Sequence, residues 1–223
     1  MPDLSQFMVQ LSVWALPVLF AVTVHEAAHG YTAQWLGDDT AARAGRLSLN
    51  PVRHIDPLGT IAVPALLLLL GGFLFGWAKP VPVDFRRLKR PKRDMAVVAF
   101  AGPAVNLIMA AGWTLVLSLT QAVAGGEMTA HFFHQMAIAG VTINVILMVL
   151  NLLPLPPLDG GRIAVGLLPM RPASWLARVE PYGLLILIAL MLTGVLMKVL
   201  IGPFVFVQAV LFWLFSIQLP LVP

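Results

Sequence analysis

Long uninterrupted apolar blocks, rather than alternating positions, dominate this chain. They lie near residues 7–36, 58–77, 94–124, 132–153, 181–201 and 203–219. Each is close to or above the roughly 20 residues a helix needs to cross a hydrocarbon core of about 30 Å. The short polar loop Gly125-Gly126-Glu127-Met128-Thr129 predicts a tight hairpin between the third and fourth blocks, and Gly202-Pro203 predicts another between the last two. No polar stretch is long enough to build a second core, so one membrane-embedded domain over residues 1–223 is expected.

Two connecting stretches break the apolar pattern. Ala41 to Pro51 contains a short alternating run, and Gly76 to Phe85 is extended by Pro80 and Pro82, since proline disfavours helix in the residue before it. Paired, they would make a small sheet at the membrane surface, with the proline-rich strand at its edge. The predicted fold class is therefore an all-α polytopic membrane protein. It has about five to six transmembrane helices, a small surface β element and, on the reading preferred below, a re-entrant segment at 58–77.

Charge orients this array. The loop from Lys79 to Arg93 carries Lys79, Arg86, Arg87, Lys89, Arg90, Lys92 and Arg93, which predicts a cytoplasmic location. The block at 94–124 then runs outward and the block at 132–153 returns, bringing Asp159, Arg162, Arg171 and Arg178 to the inner side. The block at 58–77 has two readings. A full span, kinked at Pro64, puts Arg43, Arg46 and Arg53 outside, against the charge rule. A re-entrant segment, interrupted at Pro64 and Gly71-Gly72, keeps both basic loops inside, and is tolerated where protein covers it.

Composition agrees. The chain is 59% hydrophobic and only 11% charged, with a mean hydropathy of +0.89, against about 25% charged residues in a soluble domain. A pI near 10.0 would suit a nucleic-acid binder. The basic residues sit in loops between apolar blocks, however, so the partner they imply is the lipid bilayer and no nucleic acid is expected. Cysteine is absent, which excludes disulfides and thiolate metal sites and leaves imidazole and carboxylate as ligands. No Lys or Arg precedes the first block, so it lacks the charged start of a cleavable signal peptide and is expected to be retained.

The first block holds the chemistry, in the run Val24-His25-Glu26-Ala27-Ala28-His29. Histidines at i and i+4 lie one turn apart on one helix face, so both imidazoles reach one zinc ion. The adjacent Glu26 is placed as a general base toward a water at that ion. In a soluble protein this short pattern arises by chance. Inside an apolar helix each charged form costs up to about 3 kcal/mol, which makes a purposeless cluster expensive. The alternative is a polar cluster satisfied by neighbouring helices without metal.

A zinc hydrolase needs a third protein ligand. Asp159 is the preferred candidate because it closes the run from Asn151 to Gly161, where an apolar helix breaks into a proline segment beside two glycines. As a plain turn, Asp-Gly-Gly would be ordinary. His54 is the runner-up; Glu127, Glu180, His131 and His134 sit in turns or near helix ends. His29 lies about 10 Å along the helix axis from Leu36. It therefore sits at a depth similar to that of Asp159, below the inner end of the fourth block.

With these residues in view, the chain resembles the site-2 protease family of intramembrane zinc metalloproteases, peptidase family M50. The resemblance is carried by His25-Glu26-Ala27-Ala28-His29 and Asn151 to Gly161 with its Leu158-Asp159-Gly160 core, and by Gly76 to Val83 and Ala101-Gly102-Pro103-Ala104-Val105-Asn106. It implies a single membrane-embedded metalloprotease domain, with a catalytic core of about 7–168 and a C-terminal helical pair at 181–219. It implies one zinc ion (Zn2+) per chain held by His25, His29 and Asp159, with Glu26 as catalytic base. It further implies that Asn151 positions substrate or stabilises the tetrahedral intermediate. No PDZ-like domain is present, which is similar to a minimal member.

The expected activity is hydrolysis of peptide bonds in transmembrane segments of membrane proteins, in regulated intramembrane proteolysis or membrane-protein turnover. The expected setting is a bacterial or archaeal cell membrane, with the site opening toward the cytoplasm. Expected partners are a transmembrane protein or peptide substrate and the bilayer; the sequence does not set the oligomeric state. A metal-dependent transporter would need more polar residues along a path than 181–219 offer. An inactive peptide-binding relative usually lacks the base or a ligand, and all are present here.

Overall fold

A backbone immersed in hydrocarbon must satisfy its own N–H and C=O groups, so the apolar blocks form helices. The computed structural model describes residues 4–62, 79–123 and 128–217. Helix α1 runs over Leu4–Trp35, α2 over Thr40–Arg43, α3 over Pro91–Val123 and α4 over Met128–Asn151. After the proline segment come α5 (Asp159–Leu167), α6 (Met170–Ala177), α7 (Gly183–Leu192) and α8 (Val195–Leu214). Five helical stretches are long and apolar enough to cross a membrane: Met8–Trp35, Pro91–Gln121, His131–Asn151, Met170–Leu192 and Val195–Leu214. The all-α polytopic class is observed.

Helices α1, α3 and α4 form the inner layer. Val13 of α1 packs with Met136 and Ala139 of α4, and Trp113 of α3 lies against them. Ala110 of α3 joins Val141, Val145, Met148 and Val149 of α4 and Leu211 of α8 in a second buried cluster. A third cluster, Ala33, Leu88 and Val98, fastens the loop before α3 to the end of α1. Most of α8 is not buried: Leu211 packs in the core with Leu200, Phe204, Val207 and Phe212 partly buried against it, which leaves its outer face to lipid, a solvent as apolar as leucine.

Two sequence expectations need correcting. The turn between the last two helices is at Gly194, not at Gly202-Pro203. Gly194 takes φ +72°, the left-handed conformation glycine adopts without a Cβ clash, while Pro203 lies inside α8. A proline inside a helix forfeits one backbone bond but does not reverse the chain.

The second correction concerns the surface β element, since neither 41–50 nor 79–85 forms a strand among the described residues. The two stretches do meet, but through side chains. Arg46 Nη2 donates to the carbonyls of Lys79 at 2.9 Å and Pro80 at 3.5 Å, and Asp38, just ahead of the first stretch, accepts from the Asp84 N–H at 2.7 Å. Prolines at 80 and 82 remove the donors a ladder would use.

The segment 58–77 is described only at its start, where a π-helical turn covers Pro57–Ala62; its remaining path lies outside the described residues. Its flanks are joined, since Lys79 N donates to the His54 carbonyl at 2.9 Å.

Candidate metal centre

Two elements bring three ligand atoms to one point. On α1, His25 Nε2 and His29 Nε2 stand 3.0 Å apart. Asp159 Oδ2, from the first turn of α5, lies 3.2 Å from the former and 3.3 Å from the latter. His25 and Asp159 are buried. The residues expected from sequence to share a metal therefore do converge.

Local structure explains the placement. The chain leaves α4 at Asn151 and folds back through the proline segment onto the start of α5. A Cβ at Gly160 would lie 2.2 Å from the Leu152 carbonyl oxygen, and one at Gly161 would lie 2.2 Å from Pro156 N. The two glycines let that segment close over α5, and the N-terminal end of the helix favours the Asp159 charge. On the opposite side, α3 approaches so closely that a Cβ at Gly102 would lie 2.5 Å from both His25 Cε1 and His29 Nε2.

The proton inventory tests whether a metal fits. His29 Nδ1 lies 2.7 Å from the Val98 carbonyl, which can only accept, so Nδ1 carries the proton and a neutral ring leaves Nε2 bare. His25 Nδ1 lies 2.5 Å from Asn106 Oδ1, with the same consequence. Three lone pairs then face one another with no proton between them, and Asp159 Oδ2 has no hydrogen-bond partner in that state. Positive charge must fill the triangle, as protons on the imidazoles or as a cation. A tetrahedral ion with bonds of about 2.0–2.1 Å separates its ligand atoms by about 3.3 Å, close to the distances found. Burial alone would raise the Asp159 carboxyl. Where protons on the imidazoles fill the triangle, hydrogen bonds from His25 and His29 and their charge outweigh it and hold the group below the usual carboxylate range.

Glu26 lies beside the cluster, half-buried, and its Oε2 accepts from the Val81 N–H at 2.8 Å. Asn151 is not drawn in. Its Nδ2 donates to the Leu147 carbonyl of its own helix at 3.0 Å. The runner-up ligand His54 is buried, but its Nε2 donates to the Ser48 carbonyl at 2.8 Å and it stands outside the ligand group. His134 Nδ1 lies 3.2 Å from Thr120 Oγ1, Glu180 lies 3.7 Å from Arg162, and Glu127 falls outside the described residues.

The sequence reading did not single out the Val98 carbonyl, Asn144 or the Val81 N–H. Asn106 and Gly102 stand out in the sequence only as parts of a family motif. For the two asparagines a signal existed, the cost of burying an amide in an apolar helix; for the backbone groups there was none.

A largely buried His-His-Asp cluster with an adjacent glutamate, its histidines on a helix long and apolar enough to cross a membrane, has the make-up of a membrane metallohydrolase. Residues 13–194 match the profile of peptidase family M50. YwhC of Bacillus subtilis (strain 168), named as a provisionally assigned zinc metalloprotease, is 41% identical over 181 residues, covering 80% of this chain and 79% of that protein. Rip2 of Mycolicibacterium smegmatis (strain ATCC 700084 / mc(2)155), named in the same way, is 34% identical over 180 residues, covering 80% of this chain and 66% of its own length. Rip2 of Mycobacterium tuberculosis (strain ATCC 25618 / H37Rv) is 32% identical over 205 residues, covering 90% and 71%. No solved structure matches the chain. The chain belongs to peptidase family M50, as the site-2 protease motifs implied, and is a zinc metalloprotease of the membrane.

Proposed function

We propose that this protein is an intramembrane endopeptidase that cuts peptide bonds within transmembrane segments of other membrane proteins, as one catalytic domain. His25, His29 and Asp159 would hold one zinc ion. The observation that carries this reading is the triangle of bare acceptors that Asp159 of α5 completes with two histidines of the apolar helix α1, the second six residues short of its end at Trp35. When bound there, zinc supplies Lewis-acid polarisation of the scissile carbonyl and acidifies a water.

The remaining work falls to the chain. Glu26 takes the proton from the attacking water and returns it to the leaving amine. Asn151 steadies the oxyanion by a hydrogen bond from its side-chain amide, one of whose two N–H groups is held by the Leu147 carbonyl. A substrate helix has to unwind first, because its carbonyls are spent on its own N–H groups.

Orientation follows from charge and contact. Val81 touches Glu26 and lies in the basic loop from Lys79 to Arg93, so the site opens on the side of that loop. Arg46 reaches the carbonyl of Lys79, which brings the other basic loop to the same side. Two basic loops on one face suit the cytoplasm of a prokaryotic cell.

The test is cleavage of a panel of single-span helices in liposomes, with and without chelator, by the native chain and by Glu26→Gln. Cleavage that needs zinc and disappears in Glu26→Gln, with zinc still bound, is expected. Full activity in that variant would sink the assignment of the base.

A further inference from the structure

We infer that Asn106 and Asn144 form a two-amide relay that locks His25 in the tautomer able to bind zinc, an inference that rests on the zinc reading above. Both side chains are wholly buried, Asn106 on α3 and Asn144 on α4. The relay starts from a group that can only accept. Asn144 Nδ2 donates to the Gly140 carbonyl at 2.8 Å, which leaves Asn144 Oδ1 to accept from Asn106 Nδ2 at 2.9 Å. Asn106 Oδ1 is thereby turned toward His25 Nδ1, at 2.5 Å. The Asn106 amide also reaches the Ala21 carbonyl at 3.5 Å, one turn before His25 on α1.

The direction of the relay matters. With oxygen facing His25, Nδ1 keeps the proton and Nε2 offers its lone pair to the ligand triangle. A reversed Asn106 amide would present N–H to Nδ1, move the ring proton to Nε2 and place it where the ion must sit. His29 is held differently, by the main-chain carbonyl of Val98, which no side-chain replacement removes. Val98, Gly102 and Asn106 stand at i, i+4 and i+8 and so line one face of α3. That face offers a carbonyl, a gap for the rings and an amide. Asn106 is thus a positioning residue for His25, and Asn144 orients Asn106.

The experiment uses the full chain in detergent. It measures zinc affinity by competition with a chromogenic chelator, and the visible spectrum of the cobalt(II)-loaded protein. Asn106→Leu should weaken zinc by about 10- to 100-fold and alter the cobalt spectrum. Asn106→Asp in its protonated form keeps an acceptor at Nδ1 and an O–H donor for Asn144 Oδ1, and should stay within a few-fold of the native affinity. Asn144→Leu should weaken zinc by an intermediate factor.

Native affinity and spectrum in Asn106→Leu would overturn the relay. So would equal losses in Asn106→Leu and Asn106→Asp, because the acceptor would then not be what matters. If Asn106→Leu does not fold, Asn144→Leu decides, and unchanged affinity there overturns the proposal. A native chain that takes up no zinc sensitive to His25→Ala would remove the zinc reading itself. Native zinc uptake with an indifferent Asn106→Leu removes only the relay.

Discussion

The backbone N–H of Val81 donates to Oε2 of Glu26 at 2.8 Å, tying the extended segment before α3 to the residue placed as general base. Pro80 and Pro82 have no N–H, so Val81 supplies the one donor of that tripeptide, and the glutamate takes it. The Lys79 carbonyl is likewise taken, by Arg46. A substrate strand could not add to this edge through its donors without displacing Glu26.

Val81→Pro removes that donor and leaves the glutamate side chain unrestrained. A hydrogen bond to a charged group contributes about 1.5–3 kcal/mol. Where it holds the base in register, kcat should fall by about tenfold to a hundredfold. Zinc content should not change. Single-turnover cleavage alongside metal analysis measures both, and an unaltered kcat would show that the contact has no catalytic use.

Gly102→Ala inserts a methyl group 2.5 Å from His25 Cε1 and His29 Nε2, with helix backbone on one side and two ligand rings on the other. One ring must move. A loss of zinc affinity of at least about tenfold is expected, the scale on which disturbing ligand orientation acts. Native affinity in a metal titration would mean that α1 and α3 part easily.

Asp159→Ala and His54→Ala separate the two candidate third ligands. The first removes an atom within 3.3 Å of both imidazoles and should weaken zinc by more than about a hundredfold. The second alters a histidine outside the ligand group and should leave zinc affinity near its native value. Equal losses would place His54 at the metal.

Gly194→Ala tests the position of the last turn. Nothing lies within 4 Å of an added Cβ there, so the whole cost comes from φ +72° and should be about 1–2 kcal/mol. Pro203→Ala restores a backbone donor inside α8 and should be neutral or stabilising. Thermal unfolding in detergent gives the order, which would reverse if the chain turned at Gly202-Pro203.

The parts legible in the sequence are those encoded by residue type and short spacing. Four blocks became spanning helices in α1, α3, α4 and the C-terminal pair's second member, because each run is apolar enough and long enough. His25 and His29 share a face because i and i+4 always do in a helix. Asp159 is legible because a carboxylate after a broken apolar helix has few other uses. The last hairpin is not legible in the sequence because proline is both a helix breaker and a tolerated helix residue. Only the surrounding backbone showed which role Pro203 has and that Gly194 turns instead.

By itself, then, the sequence determined a helical membrane protein with an imidazole and carboxylate zinc site, since hydropathy and ligand chemistry belong to side chains. Tertiary structure alone decided how that site is held: the Val98 carbonyl on His29, the paired amides behind His25, and the Val81 N–H on Glu26. Two of those partners are backbone atoms, which every residue carries and no residue announces. The third is an amide that lies 81 residues from its histidine along the chain and meets it only because α1, α3 and α4 pack together.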